Sequence, residues 1–170
     1  MAILEICAYP EEVLRQPAKP ITNIDGEIVE LADHMADTMY CAPGIGLAAN
    51  QVGVSKRLIV IDIEPRTPDS DLIVLANPEI IVAEGQVSIE EGCLSVPEYM
   101  AEVKRHEKVT VCGIDLRGEE VELEAEGLMA VVLQHEIDHL NGVLFIDRIS
   151  RLKRDLYKRR WRKSLARGHT

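Results

Sequence analysis

The feature that most constrains what this chain can fold into is a five-residue run, His135-Glu136-Ile137-Asp138-His139. Helical periodicity extends from Gly127 to Asn141, with Gly142 well placed as a C-terminal cap. An HExxH run on such a helix sets both imidazoles on one face, where they can reach a single metal ion. Glu136 is rotated about 100° from His135, beside such an ion and suited to act as a base on water there. Leu128, Val131 and Val132 fall on the stripe of the two histidines, so that stripe is expected to point into the protein body. The blander alternative is two core histidines satisfied by hydrogen bonds. Burying two such rings around a glutamate would be costly without a ligand.

A helix of this kind has to be enclosed, and 170 residues suffice for one domain with a real core. Apolar residues make up 46% but aromatics only 4%, so the core must rest on Val, Ile, Leu and Ala. The start carries Glu5 and lacks a basic region followed by an apolar run, which argues against a signal peptide. No stretch is long and apolar enough for a membrane span. The four cysteines are scattered without a CxxC pair, a usage that points to reduced thiols and a cytoplasmic protein. Cys7, Cys41 and Cys112 are expected to be small core residues.

Net charge is −10, yet it is split. Residues 1–147 hold 9 Lys+Arg against 28 Asp+Glu, a net −19, whereas residues 148–170 hold 10 basic residues and one acid, Asp155, a net +9. The division suggests a body, 1–147, and a basic tail, 148–170, with a polyanionic partner for the tail alone. Ile149, Leu152 and Leu156 recur at helical spacing and are expected to hold the start of the tail helix, roughly 148–166, against the body.

Between these helices the pattern changes. After a Pro-interrupted start with a short helix at Glu11–Arg15, a helix is expected from Asp25 to about Tyr40, with Ile28, Leu31, Ala32, Met35 and Met39 as its apolar stripe, ended by Pro43-Gly44. A small-residue loop follows, Gly44–Gln51. Short strands are expected at 58–63, 72–76, 80–83, 87–89, 109–114 and 121–123, with a hairpin turn at Arg117-Gly118. The implied class is α+β: short, mostly antiparallel strands around a central HExxH helix, with an N-terminal helix and a basic C-terminal helix. The antiparallel expectation follows from the lack of long crossovers.

A catalytic site of this type needs three protein ligands and an open position. Downstream, the place where a longer motif would carry another histidine is Phe145, and His169 lies in the terminal tail. Upstream, Cys93 sits in Glu91-Gly92-Cys93-Leu94-Ser95, at a loop edge between a strand ending near Ile89 and the break at Pro97. A thiolate there could complete a Cys-His-His site, although a lone cysteine is more often a small core residue. Glu91 is a partner for Arg105 that would brace this loop, unless both are solvated charges.

Three segments in this order, Gly44–Gln51 (GIGLAANQ), Glu91–Ser95 (EGCLS) and Gln134–His139 (QHEIDH), resemble the three motifs of the peptide deformylases. Each motif is complete, and the resemblance spans the whole domain. It implies Cys93, His135 and His139 as ligands and Glu136 as general acid and base, with Gln51 and the Leu94 backbone binding the formyl oxygen. It also makes the Gly46 backbone a partner for substrate main chain, and it favours Fe²⁺ in the cell, replaced by Zn²⁺ or Ni²⁺ on handling. By its chemistry the ligand set also suits Co²⁺. For the methionine side chain, Leu128, Val131 and Val132 are the expected pocket wall, with Ile45 opposite; ordinary core is the alternative. The expected reaction is hydrolysis of N-formyl-methionyl nascent peptides, releasing formate. The resemblance also implies ribosome docking through the basic tail. Neither DNA nor a membrane is expected as a partner. Two other readings stay open here: an HExxH metallopeptidase, which wants a different third ligand, and a metal-stabilised ribosome-binding module, which wants a fourth.

Overall fold

Asp25 begins the first helix: its side chain accepts the Ile28 N–H at 3.1 Å, and α1 (Gly26–Cys41) follows. Ile28, Ala32, Met35 and Met39 are buried along one face, with Leu31 partly buried beside them, as the apolar stripe requires. This computed structural model describes residues 2–65 and 67–167. His169 and the last three residues of the tail therefore lie outside the described residues.

Seven strands follow among the described residues: β1 (Gly46–Ala48), β2 (Leu58–Ile61), β3 (Ile73–Glu84), β4 (Val87–Cys93), β5 (Val96–Arg105), β6 (Lys108–Ile114) and β7 (Glu120–Glu126). Five form one sheet in the order β1-β2-β3-β6-β7, and β4 and β5 form a separate hairpin. Every pairing between these strands is antiparallel, so the class is α+β as expected. The turn between β6 and β7 holds Arg117 and Gly118.

Four local differences from the sequence reading have physical causes. Gly44–Gln51 is not a loop: β1 and a 3-10 turn at Ala49–Val52 occupy most of it. A three-residue Gly-Leu-Ala strand carries too little alternation to be recognised. The stretches expected at 72–76 and 80–83 are one strand, β3, bent at Asn77 and Pro78, where the register with β6 shifts. Asn77 takes φ +49° there, and its amide clasps the Ile21 backbone with two bonds of 2.8 Å. β5 went unexpected because Pro97 reads as a stop. Cys93 pairs with Val96 while Gly92 pairs with Met100, so Pro97, Glu98 and Tyr99 bulge out of the ladder and the strand survives its proline. Finally, Cys41 is exposed on the last turn of α1, and Cys7 and Cys112 are only partly buried, so none of the three is a fully enclosed core residue.

The HExxH helix is α2 (Gly127–Leu140), buried on all sides from Ala130 to Leu140. Ala130, Leu133, Ile137 and Leu140 pack on the large sheet against Ile59, Ile61, Leu75, Val109 and Val111. A 3-10 turn at Phe145–Asp147 ends the body and leads into the tail, which forms α3 (Arg151–Ala166), capped by Ser150, whose hydroxyl accepts the Lys153 N–H at 3.2 Å. Leu152 and Leu156 do not anchor it; they are 70% and 48% exposed. Tyr157 anchors it instead, at 6% exposure, with Ile149 and Trp161 beside it. Its ring lies 4.7 Å from Tyr99 and 5.7 Å from Tyr9, and Tyr9 also meets Trp161 at 5.6 Å. A large aromatic buries more area than leucine and gains from ring-on-ring contact, which decides the helix's rotation.

The end of α2 is locked by Gly142, at φ +78°, whose N–H bonds the His139 carbonyl at 3.0 Å. A Cβ there would overlap the Arg15 carbonyl. Gly142→Ala should therefore cost about 2–3 kcal/mol and lower the melting temperature by about 5–10 °C. Thermal denaturation of metal-matched wild type and variant reads this directly; equal melting would show that the Arg15 segment yields freely.

Candidate metal centre

The end of β4 and the middle of α2 meet at one point. Cys93 Sγ lies 3.3 Å from His139 Nε2, which lies 3.1 Å from His135 Nε2, and the three atoms are all within 4.8 Å of one another. In a tetrahedral site with nitrogens at about 2.0–2.1 Å and sulfur at about 2.3 Å, such atoms stand roughly 3.3–3.6 Å apart. The donor set and its spacing fit a divalent ion of borderline softness.

The surroundings fit too. Glu91 Oε1 stands 2.9 Å from His135 Nδ1, which sets that ring's other nitrogen toward the cluster. Arg105 grips Glu91 with Nε and Nη2, both at 2.8 Å, so the expected Glu91–Arg105 brace is present and buried. Asn50 holds the His139 backbone through a bond from its amide to the carbonyl oxygen. The sulfur of Cys93 receives the Ser95 N–H at 3.4 Å and Gln51 Nε2 at 3.6 Å. Burial and the neighbouring His135 and Arg105 push His139 well below its ordinary pKa, keeping it neutral. Burial opposes a proton on His135, but Cys93, Glu91 and Glu136 draw one to it and raise its pKa. An anionic pocket that pulls positive charge onto an imidazole is one a divalent cation would satisfy.

Glu136 is 4% exposed, with Oε1 4.0 Å from His135 Nε2 and Oε2 lacking a partner. Burial lifts its pKa to about 7, against the pull of His135 and Arg105 and with help from Glu91 and Asp138. A carboxyl so poised can both take and give a proton near neutral pH. Gln51 is fixed by its oxygen, which accepts the Ala48 N–H at 2.9 Å, so its NH₂ turns toward Ser95 Oγ at 3.1 Å and Cys93.

These groups border a cleft of about 680 Å³ between β1, the β4–β5 hairpin and α2. Its walls include every expected residue but His139, namely Gln51, Cys93, Leu94, His135 and Glu136 around the cluster and Ile45, Gly46, Leu128, Val131 and Val132 along the apolar side. His139 lies behind the wall at 1% exposure. Leu128 is 43% exposed at the mouth rather than core, and Val132 also touches the sheet-side core. Sequence reading missed Ile89, Tyr99 and Met100 in the opposite wall, together with buried Ser95. It also gave no role to Asp138, whose Oδ2 takes Arg105 Nη1 at 2.6 Å. Val96–Arg105 was not seen as a strand, so its alternate residues carried no address. The alternation of Tyr99, Ala101, Val103 and Arg105 was the available signal.

The chain matches the family model described as polypeptide deformylase over residues 3–155. This chain belongs to the polypeptide deformylase family. Among deformylase relatives, the peptide deformylase of Syntrophobacter fumaroxidans is 56% identical over 165 residues, 97% of each chain. The crystal structure of a peptide deformylase from Legionella pneumophila matches with a TM-score of 0.89 at 48% identity, covering 98% of this chain and 99% of that one. The peptide deformylase of Ehrlichia chaffeensis in complex with actinonin matches at 0.89 and 37% identity, covering 96% and 98%. Deformylases are metal-dependent hydrolases of protein biosynthesis that remove N-formyl groups from new peptides, and this chain is such an enzyme.

The geometry gives one deformylase glycine a reason of its own. A Cβ on Gly46 would stand 2.7 Å from Glu136 Oε1 and 3.0 Å from Val132 Cγ1. Gly46→Ala should push the Glu136 carboxyl aside and lower kcat by about 10–100-fold at unchanged metal content, since a 1 Å misplacement near the chemistry costs about that much. Steady-state kinetics with metal analysis checks it; a normal kcat would show that Glu136 accommodates the methyl.

Proposed function

We propose that residues 1–147 form the catalytic unit, in which Cys93, His135 and His139 hold one divalent ion and Glu136 handles the protons. The observation that carries this reading is the unpartnered, buried Glu136 oxygen beside three converging donor atoms at the base of an apolar cleft. The ion would supply Lewis acidity, lowering the pKa of water toward neutrality. Glu136 takes a proton from the attacking water and returns it to the departing amine. The Gln51 NH₂ and the Leu94 N–H donate to the formyl oxygen as negative charge grows on it. The Gly46 backbone pairs with the peptide main chain, and Ile45, Leu128, Val131 and Val132 receive the methionine side chain. The products are formate and a free N-terminal methionine.

Thiolate with two imidazoles suits iron, zinc, nickel and cobalt, and the motif resemblance favours Fe²⁺ in the cell. No described helix is long and apolar enough to cross a membrane, and the free cysteines accord with a reducing cytoplasm. Formate release from a formyl-Met peptide by metal-loaded protein is the direct test. Glu136→Ala should keep the metal and lose about 10²–10⁴-fold in rate, because only proton transfer is removed. Loss of metal along with activity would instead make Glu136 a ligand.

The tail, residues 148–170, is read as the docking element for the ribosome near the emerging peptide. Arg151, Arg159 and Arg162 are exposed on α3, and this basic helix stands on a body of opposite charge. Phosphates of RNA compete for such a surface and release counterions on binding. Removing residues from about 158 onward keeps the Tyr157 anchor. It should leave turnover of short peptides intact and abolish salt-sensitive co-sedimentation with ribosomes. Equal co-sedimentation of both forms would end the docking assignment.

A further inference from the structure

Arg148, the first residue of the tail, has no part in the catalytic roles assigned above, yet charged hydrogen bonds link it without a break to the metal centre. Its Nε donates to Asp138 Oδ2 at 2.5 Å and its Nη2 to Asp138 Oδ1 at 2.8 Å, a two-pronged grip. The same Oδ2 receives Arg105 Nη1, and Arg105 turns its other two donors to Glu91, which meets His135. The inner side chains are nearly dry, 2% exposed at Arg105, 6% at Glu91 and 11% at Asp138, while Arg148 is half open at 46%.

In this chain two carboxylates face two guanidinium groups. Without Arg148, the single guanidinium of Arg105 must serve both acids. Asp138 then draws Arg105 toward itself, and the paired bonds that orient Glu91 loosen. Glu91 is the group that fixes which His135 nitrogen faces the cluster. Planar forks transmit orientation as well as charge, which an ammonium does not. The backbone of Arg148 is itself well placed to act as a fixed point. It lies between the turn carrying Phe145, whose ring stands 6.2 Å from that of His135, and the Ser150 cap of α3.

We propose that Arg148 is a positioning residue for the metal centre, fixing the orientation of His135 through Asp138, Arg105 and Glu91. The root of the tail, rather than its length, is thereby coupled to the site. This rests on Cys93, His135 and His139 being the ligands.

The test uses full-length protein loaded with Co²⁺. A direct partner of a ligand, here Glu91, is worth about 10–100-fold in metal affinity or activity, so three links further out Arg148→Ala should speed metal release to a chelator by a smaller factor, about threefold to tenfold. The visible absorption bands of Co²⁺ should shift, and kcat should fall with KM little changed. Arg148→Lys restores charge without the fork and should recover only part of each effect; it also carries the test if Arg148→Ala does not fold. Arg117→Ala, which removes an exposed charge in the β6–β7 turn, should match wild type. Wild-type release and spectrum in Arg148→Ala would overturn the proposal, and so would full recovery by Arg148→Lys. Wild-type protein that retains no Co²⁺ would refute the ligand assignment and the coupling together, whereas an unaltered Arg148→Ala refutes the coupling alone.

Discussion

Arg105 is the contact on which the site depends. Its side chain is 2% exposed and serves two carboxylates, Glu91 on the hairpin and Asp138 on α2. Burial tends to raise the pKa of Glu91, but Arg105 and His135 more than offset it and hold the carboxylate ionised. Burial likewise opposes charge on Arg105, and Glu91 and Asp138 reverse that. Removing one partner from such a buried set costs about 3–5 kcal/mol, because the other is left uncompensated. The charge is retained because the β4–β5 hairpin and α2, which supply the donor atoms of the cluster, have no ladder hydrogen bonds in common.

A two-stranded hairpin is marginal by itself, so Cys93 needs its strands held from outside. Two kinds of contact do so. The polar one runs from Glu91 and Arg105 to Asp138. The apolar one packs Val96, Ala101 and Val103 with Leu14, Leu144, Phe145, Ile146 and Tyr157. On its other side α2 packs on the large sheet through Leu133 and Ile137, while His135 and Glu136 face the cleft. One helix thus supplies both the packing that makes it immovable and the groups that must not move.

Much of this was legible in the sequence where residue type and period agree. The HExxH run, the stripe of α1 and the three motifs carry their own geometry, since positions four apart on a helix share a face whatever surrounds them. β5 was hidden because Pro97 normally ends a strand, and only the register shift at Cys93 tells how the ladder resumes. Charged residues default to the surface, so nothing in the sequence singles out Asp138 or Arg148, even though Asp138 lies inside the HExxH motif itself. The anchor of α3 was misjudged for a different reason. Leu152 and Leu156 follow helical spacing, but Tyr157 and Trp161 do as well, and the aromatic surface waiting at Tyr9 and Tyr99 is assembled from distant parts of the chain.

That aromatic surface also explains how an acidic body can carry a strongly basic helix without being smothered by it. Exposed opposite charges a Debye length apart are largely screened, so electrostatics alone would leave α3 free to lie on the body in many ways. Tyr157 and Trp161 instead commit one face of the helix to a fixed apolar seat, and Ser150 sets where it starts. Arg151, Lys153, Arg159, Arg160, Arg162 and Lys163 then stay in solvent, with Asp155 the acid among them. An uncommitted polycation would be neutralised by its own domain. Orientation by packing is what keeps the charges of this one in solvent.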